Sequence, residues 1–412
     1  MRISLLFGVC GGVQLDLLLE LKECRGKFQV RPNVNALSDE QWQMFAEAVK
    51  MIHGDKAVLK TRISNEKDLE RKQYLELLLN TKDVSIYDQL SLVHIQNYAK
   101  YHDNVLFLPW HRAYLLLFER ELQKVDPRVV LPYWDFTLHH DKILDDPALS
   151  EARFGGPSKF EGGVFVGEFS NLTAYFFING ERMPHHVRRG KQLTTFSAVA
   201  PIALRINYLT IQSFSFFTRH FEASVHGRVH KAIGGEFDAH TSANDPIFFP
   251  YHAFIDKIWS IWQHMHNNAY LQLKQESLEP FGITVQDILT LERHVCVNYK
   301  ESHYLNNGSI QGIPDSVIKH FENFVVQPSS HETTVAKYNA ILQQLNISPA
   351  KFKVRKGELN DYENGMYDNN LVNSDHAQDV ALEKISETDS HHPPLLSPPL
   401  TFILLISIYP LF

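Results

Sequence analysis

The chain has 412 residues, 44% of them hydrophobic and 12% aromatic, which is enough apolar material for a large core and for two or three domains. Its formal net charge is -7 with no long basic run, and that balance excludes nucleic acid as a partner.

In chain order, Arg2 followed by apolar residues 3–13 resembles the basic and apolar regions of a secretory signal. Residues 1–23 therefore read as a signal peptide and N-terminal segment, with small residues at Gly11 and Gly12 where cleavage could fall; an amphipathic first helix is the alternative. Cleavage there discards Cys10 and leaves Cys24 and Cys296, which permit one disulfide without showing that their side chains meet. Asn171-Leu-Thr, Asn307-Gly-Ser and Asn346-Ile-Ser are glycosylation sequons, and with the N-terminus they point to a secreted glycoprotein.

Ser38-Asp-Glu-Gln41 is a capping box; Trp42, Phe45, Val49 and Ile52 then recur at helical spacing, and Gly54 ends the helix. Residues 87–101 read as a second helix, bearing His94. His102 follows, and nine residues later Phe107-Leu-Pro-Trp-His111 opens a third, with Pro109 placing His111 in the first turn. Residues 140–196 are rich in Gly and Phe and predict loops and short strands. The one dense cationic patch, residues 185–191, reads as a solvated loop. Residues 197–221 are apolar and predict a helix.

In residues 226–262, His226 and His230 lie four apart, so on a helix both imidazoles share one face. With 22 His in the chain, about one such pair is expected by chance, so the pair alone says little. The duplicated context says more. Phe248-Phe-Pro-Tyr-His252 matches Phe107-Leu-Pro-Trp-His111 in frame, and Asp245-Pro246 is a helix start signal ahead of it. Both blocks are Phe-x-Pro-aromatic-His, and both lead into apolar helical periods. Two half-sites facing one another are expected.

Beyond residue 300 the composition changes. Residues 358–389 hold nine acidic side chains against Lys384 alone, so residues 301–390 form a partly acidic extension. A Pro-rich apolar tail, residues 391–412, follows. Its final thirteen apolar residues are too few to cross a bilayer as a helix. The tail reads as a cleaved lipid-anchor signal with attachment near Ser386 or Ser390, as a removable propeptide, or as a buried plug. A membrane partner is expected only in the first case.

The stretches HDNVLFLPWHRAYLLLFERE, LPYWDF and HGRVH…NDPIFFPYHAFIDKIW resemble the tyrosinase and catechol oxidase family over roughly residues 25–300. The resemblance implies a mainly α fold, an antiparallel four-helix bundle around a dinuclear copper site with loops and minor β-strands, in residues 24–300. It implies that His94, His102 and His111 hold one copper and that His226, His230 and His252 hold the other. It further implies phenolic substrates and dioxygen, with o-diphenols oxidised to o-quinones. Imidazole suits copper in both oxidation states, and three neutral His per metal leave a position open.

Family members that hydroxylate monophenols are thought to use a Glu and an Asn to activate a water. Glu222 resembles that Glu, while the Asn position, next to the first His of the second trio, is Gly227. Diphenol oxidation with slow or absent monophenol hydroxylation is the expectation. Lys231 either faces the pocket and favours carboxylated phenols or faces solvent. Phe248 belongs to the expected aromatic wall of the pocket. Asp256 either orients a ligand imidazole or pairs with Arg112. No Cys stands near His102 for the thioether found in many relatives, and Tyr251 replaces the His they often carry just before the last ligand of the second trio.

Two other classes compete: a haemocyanin-like dioxygen-binding protein, and a latent proenzyme plugged by its C-terminal extension. A zinc hydrolase is disfavoured, because His-Gly-Arg-Val-His lacks the Glu that activates water in that motif.

Overall fold

The computed structural model describes residues 13–299, apart from 83, 141, 158–162, 179–180, 191–203, 205–207, 210 and 267–270. The signal-like residues 1–12, the extension 301–390, the tail 391–412, Asn307, Asn346, Lys191 and most of the first half, 197–210, of the helix expected over 197–221 lie outside the described residues.

The fold is mainly α, as the sequence predicts. Helix α1 (Asp39–Ile52) opens on the expected capping box, with Ser38 accepting the Gln41 N–H and the Gln41 side chain accepting the Ser38 N–H. Trp42, Phe45, Val49 and Ile52 are buried, and Gly54 follows the helix at φ +88, a left-handed conformation that costs glycine nothing. Helices α2 (Lys56–Asn65) and α3 (Leu69–Asn80) pair beside it, each bearing one or two buried Leu. Helix α4 (Ile86–Tyr101) is capped by a box from Ser85 and Asp88. Helix α5 (Phe107–Val125) starts two residues before Pro109, so His111 falls in its second turn rather than its first.

After a hairpin of β2 (Thr173–Ile178) and β3 (Glu181–His186), helix α6 (Phe214–Phe221) runs through a π-turn, Glu222–His226, into α7 (Gly227–Ile233). Helix α8 (Phe248–Met265) is the partner of α5. Both are buried on nearly all sides, as central helices must be. Phe118 and Phe249 stack between them with ring centroids 3.5 Å apart.

A buried ionic network locks this pair of helices. Arg112 Nε donates to Asp256 Oδ1 at 2.6 Å, and the Arg112 guanidinium lies 3.7 Å from the Trp259 ring centre. Arg31, from strand β1 (Gln29–Arg31), donates to Glu119 at 2.6 Å and to the Tyr299 hydroxyl at 2.7 Å. Tyr299 donates in turn to Asp256 at 2.5 Å. Tyr299 ends β4 (Val297–Tyr299), which runs parallel to β1, so the two strands are tied to the bundle through one set of charges. Burial favours the neutral forms, and opposite charge at contact distance restores the ionised ones.

Two sequence readings change, and one open pairing is decided. Leu15, Leu17 and Leu19 pack into the core. Residues 13–21 are extended rather than helical: Leu15, Leu17 and Leu19 are buried while Asp16, Leu18 and Glu20 are exposed, a period of two. The Leu15 N–H donates to Gln89 and that of Leu19 to the Phe281 carbonyl. The cationic patch at 185–191 is not a solvated loop. Its His185 belongs to β3 and bonds Glu236 at 2.8 Å. Arg189 is fully buried with both Nε and Nη2 on Asp245, at 2.7 and 2.9 Å. A guanidinium fork matches a carboxylate edge, so the pair can be taken out of water together. Finally, Cys24 and Cys296 form a disulfide across 272 residues of sequence, which restricts the unfolded chain over nearly the whole unit.

Candidate metal centre

Six buried imidazoles converge in the middle of the bundle. Helix α4 supplies His94 and, at its C-cap, His102; α5 supplies His111. The π-turn ends on His226, α7 carries His230, and α8 carries His252 in its second turn. In His94, His102 and His111, one ring nitrogen from each lies within 4.8 Å of the others, and the same holds for His226, His230 and His252. His111 and His252, the matched His of the two blocks, stack with centroids 4.4 Å apart and planes 9° from parallel. The two trios therefore face each other across one cavity, as the duplicated motif predicts.

The orientation of the rings follows from the backbone. His94 Nδ1 donates to the His240 carbonyl at 3.0 Å, His102 to Tyr98 at 3.1 Å, His111 to Phe107 at 2.8 Å and His226 to Glu222 at 3.2 Å. His230 Nδ1 donates to the Phe237 carbonyl. A proton held on Nδ1 leaves the lone pair on Nε2. The Nε2 atoms of His94, His111, His226, His230 and His252 are buried and have no hydrogen-bond partner. Five uncompensated nitrogens in one cavity are costly, and a pair of metal ions with three nitrogen ligands each would satisfy all of them. Burial pushes the six pKa values down, and neighbouring imidazoles add to it for all but His230: His102 falls to about 3, His230 to about 4 and the others well below the usual range. Neutral rings are the form that binds copper, so the residues present fit two copper ions.

Aromatic rings wall the cavity. Phe248, fully buried, lies 4.1 Å from His252 and 4.9 Å from His94, centre to centre. Its counterpart Phe107 lies 4.5 Å from His111 and 4.8 Å from His226. Sequence reasoning passed over Phe107, although the duplicated motif names it as plainly as Phe248. Tyr98 stacks on His102 at 4.0 Å and Phe237 on His230 at 4.4 Å. Tyr251 donates its hydroxyl to the His226 carbonyl at 2.7 Å. The carbonyl partners His240 and Phe237 had no signal in the sequence, because any residue type can supply a carbonyl.

Of the remaining expected site residues, Glu222 is buried at the cavity edge, and its carboxylate accepts the Asp103 N–H with both oxygens at 3.0 Å. Burial pushes its pKa up to about 9. Gly227 is helical, at φ -58 and ψ -31, and a Cβ there would meet nothing nearer than the Glu222 carbonyl at 3.5 Å. Lys231 is exposed, because one residue past His230 the helix has turned by about 100° away from the face that holds the imidazoles. Of the two partners expected for Asp256 the structure selects Arg112; Asp256 and Arg112 orient no ligand ring directly but fix α5 against α8 beside His111 and His252.

Residues 84–265 match the family model described as the common central domain of tyrosinase. A tyrosinase from Streptomyces glaucescens is 31% identical over 225 residues, covering 49% of this chain and 81% of that protein. A grixazone synthase from Streptomyces griseus is 30% identical over 252 residues, covering 48% and 81%. Among solved structures, a polyphenol oxidase variant from Thermothelomyces thermophila aligns with a TM-score of 0.49 at 18% identity, over 66% of this chain and 89% of that one.

Proposed function

The chain belongs to the tyrosinase family, which makes it a copper-dependent oxidoreductase of phenols, and from that premise we propose that its reaction is the oxidation of o-diphenols to o-quinones, with monophenol hydroxylation slow or absent. Two diphenols give up four electrons and four protons to one dioxygen, yielding two quinones and two waters. The copper pair, when bound, carries the electrons between phenol and dioxygen.

The rest is the work of the chain. Six imidazoles, five of them donating the Nδ1 proton to a carbonyl, would hold both metals with neutral nitrogen. Phe107 and Phe248 exclude water from the closed side of the cavity. A diphenol is oriented there and gives up its protons as dioxygen is reduced to water. A monophenol must lose a proton with a pKa near 10 on binding, before any oxidation, which asks for a positioned base.

The observation that carries the proposal is at residue 227. Glycine stands where the resemblance expects the water-holding Asn, and the Glu222 carboxylate is already engaged by the Asp103 N–H. Oxygen uptake by copper-loaded protein with catechol and with tyrosine tests it, and rapid tyrosine hydroxylation without a lag overturns it. Because a side chain at 227 has room and the backbone is helical, Gly227→Asn is expected to fold normally and to raise tyrosine hydroxylation relative to catechol oxidation by roughly tenfold. An unchanged ratio counts against the assignment.

We also infer passage through the secretory route. The Cys24–Cys296 bond and the exposed sequon at Asn171 support it. Chain secreted from a glycosylating host is expected to carry a glycan that Asn171→Gln removes, read as a mobility shift.

A further inference from the structure

The geometry points to Glu222 as a coupling residue between the two half-sites: its carboxylate holds the turn that presents His102, while its own carbonyl orients His226. This inference rests on the reading of the two trios as copper ligands.

The turn is the less secure side of the cavity. His94 and His111 sit inside helices, but His102 is the C-cap of α4, at φ -102 and ψ 159, and its N–H makes the last helical bond, to the Tyr98 carbonyl. Asp103 follows at φ +57, a left-handed conformation that a residue with a Cβ adopts only when something holds it. Asn104 braces one end, donating to the His102 and Lys100 carbonyls at 2.8 and 2.9 Å. The Asp103 N–H is then aimed across the bundle, and Glu222, 119 residues away, receives it on both oxygens at 3.0 Å. A main-chain N–H held on a buried carboxyl group is costly to release, because no water is at hand to replace the lost partner.

The other half of the coupling is local. Glu222 begins the π-turn that ends on His226, and its carbonyl accepts the His226 Nδ1 proton at 3.2 Å. The wider winding of that turn delivers the carboxylate to Asp103 and the carbonyl to His226 from one residue. Moving Glu222 therefore disturbs a ligand of each metal, and losing its carboxylate alone releases only the His102 side. Glu222 acts here as a positioning residue, through His102 and His226.

The test compares the full-length chain with Glu222→Ala and Glu222→Gln after copper loading and dialysis against a weak chelator. Wild type and Glu222→Gln, whose amide oxygen still accepts the Asp103 N–H, are expected to retain two coppers, and Glu222→Ala about one. Adding His252→Ala to Glu222→Ala is expected to bring retention near zero, whereas His252→Ala alone keeps about one, which identifies the copper lost as that of His94, His102 and His111. Should Glu222→Ala fail to fold, hydrogen exchange at the Asp103 amide of the wild-type apoprotein decides: slow exchange is expected. Equal copper retention in wild type, Glu222→Gln and Glu222→Ala, or exchange at Asp103 as fast as in an unprotected turn, overturns the coupling. Wild type that retains no copper is a different result and removes the metal reading itself.

Discussion

His252→Ala is expected to leave the chain with a single firmly held copper and to lower catechol oxidation by at least about three orders of magnitude. Three nitrogens define each metal position, and His252 is the ligand of its trio that arrives on α8, the helix opposite His111. His226 and His230 alone give two nitrogens, too few to hold the ion in a geometry with one open position. The face-to-face contact of His252 with His111, 4.4 Å between centroids, also sets how the halves meet, so its loss lowers turnover further while His94, His102 and His111 keep their three nitrogens. Stability separates this effect from general damage. Neither ring nitrogen of His252 has a hydrogen-bond partner, so truncation costs the metal-free fold little beyond packing. Copper binds only the folded state and raises its melting temperature. Wild type is expected to gain markedly on loading and His252→Ala to gain much less, read by calorimetry with and without metal. Full copper content and near-wild-type turnover in the variant sink the assignment.

Asp256→Ala is expected to cost roughly 3–5 kcal/mol, because it leaves Arg112 and Arg31 buried without their shared carboxylate. For a unit of this size that corresponds to a fall in melting temperature on the order of 10 °C. Arg112 is fully buried, and of its remaining contacts only the Ile288 and Leu289 carbonyls and the Trp259 face could compensate. Because Arg112 adjoins His111 and Asp256 lies one turn beyond His252, a surviving fraction is expected to hold copper loosely. A shift of less than 2 °C in thermal unfolding of the metal-free protein, below about 1 kcal/mol, refutes the structural role given to this network.

Much of the centre is legible in the chain because its information is periodic. His226 and His230 share a face through the 3.6-residue repeat, and the twin Phe-x-Pro-aromatic-His blocks announce two helices presenting equivalent rings. The capping box at Ser38 specifies the start of α1 by local bonding alone, and the structure agrees. The apolar alternation of Leu15, Leu17 and Leu19 was equally available but short, and a run of leucines reads as helix until a partner surface exists.

What the sequence by itself determined is the set of chemical groups and their local spacing: six imidazoles, two cysteines, the caps and the doubled motif. Only the tertiary structure decided which groups meet. The Glu222 carboxylate on Asp103, the His240 carbonyl on His94, Arg189 against Asp245 and Arg112 against Asp256 join residues 56 to 146 positions apart. The physical reason is that local propensity acts over a few residues, whereas these pairings are set by how whole helices dock. Two of them also end on main-chain atoms, which no side chain reveals.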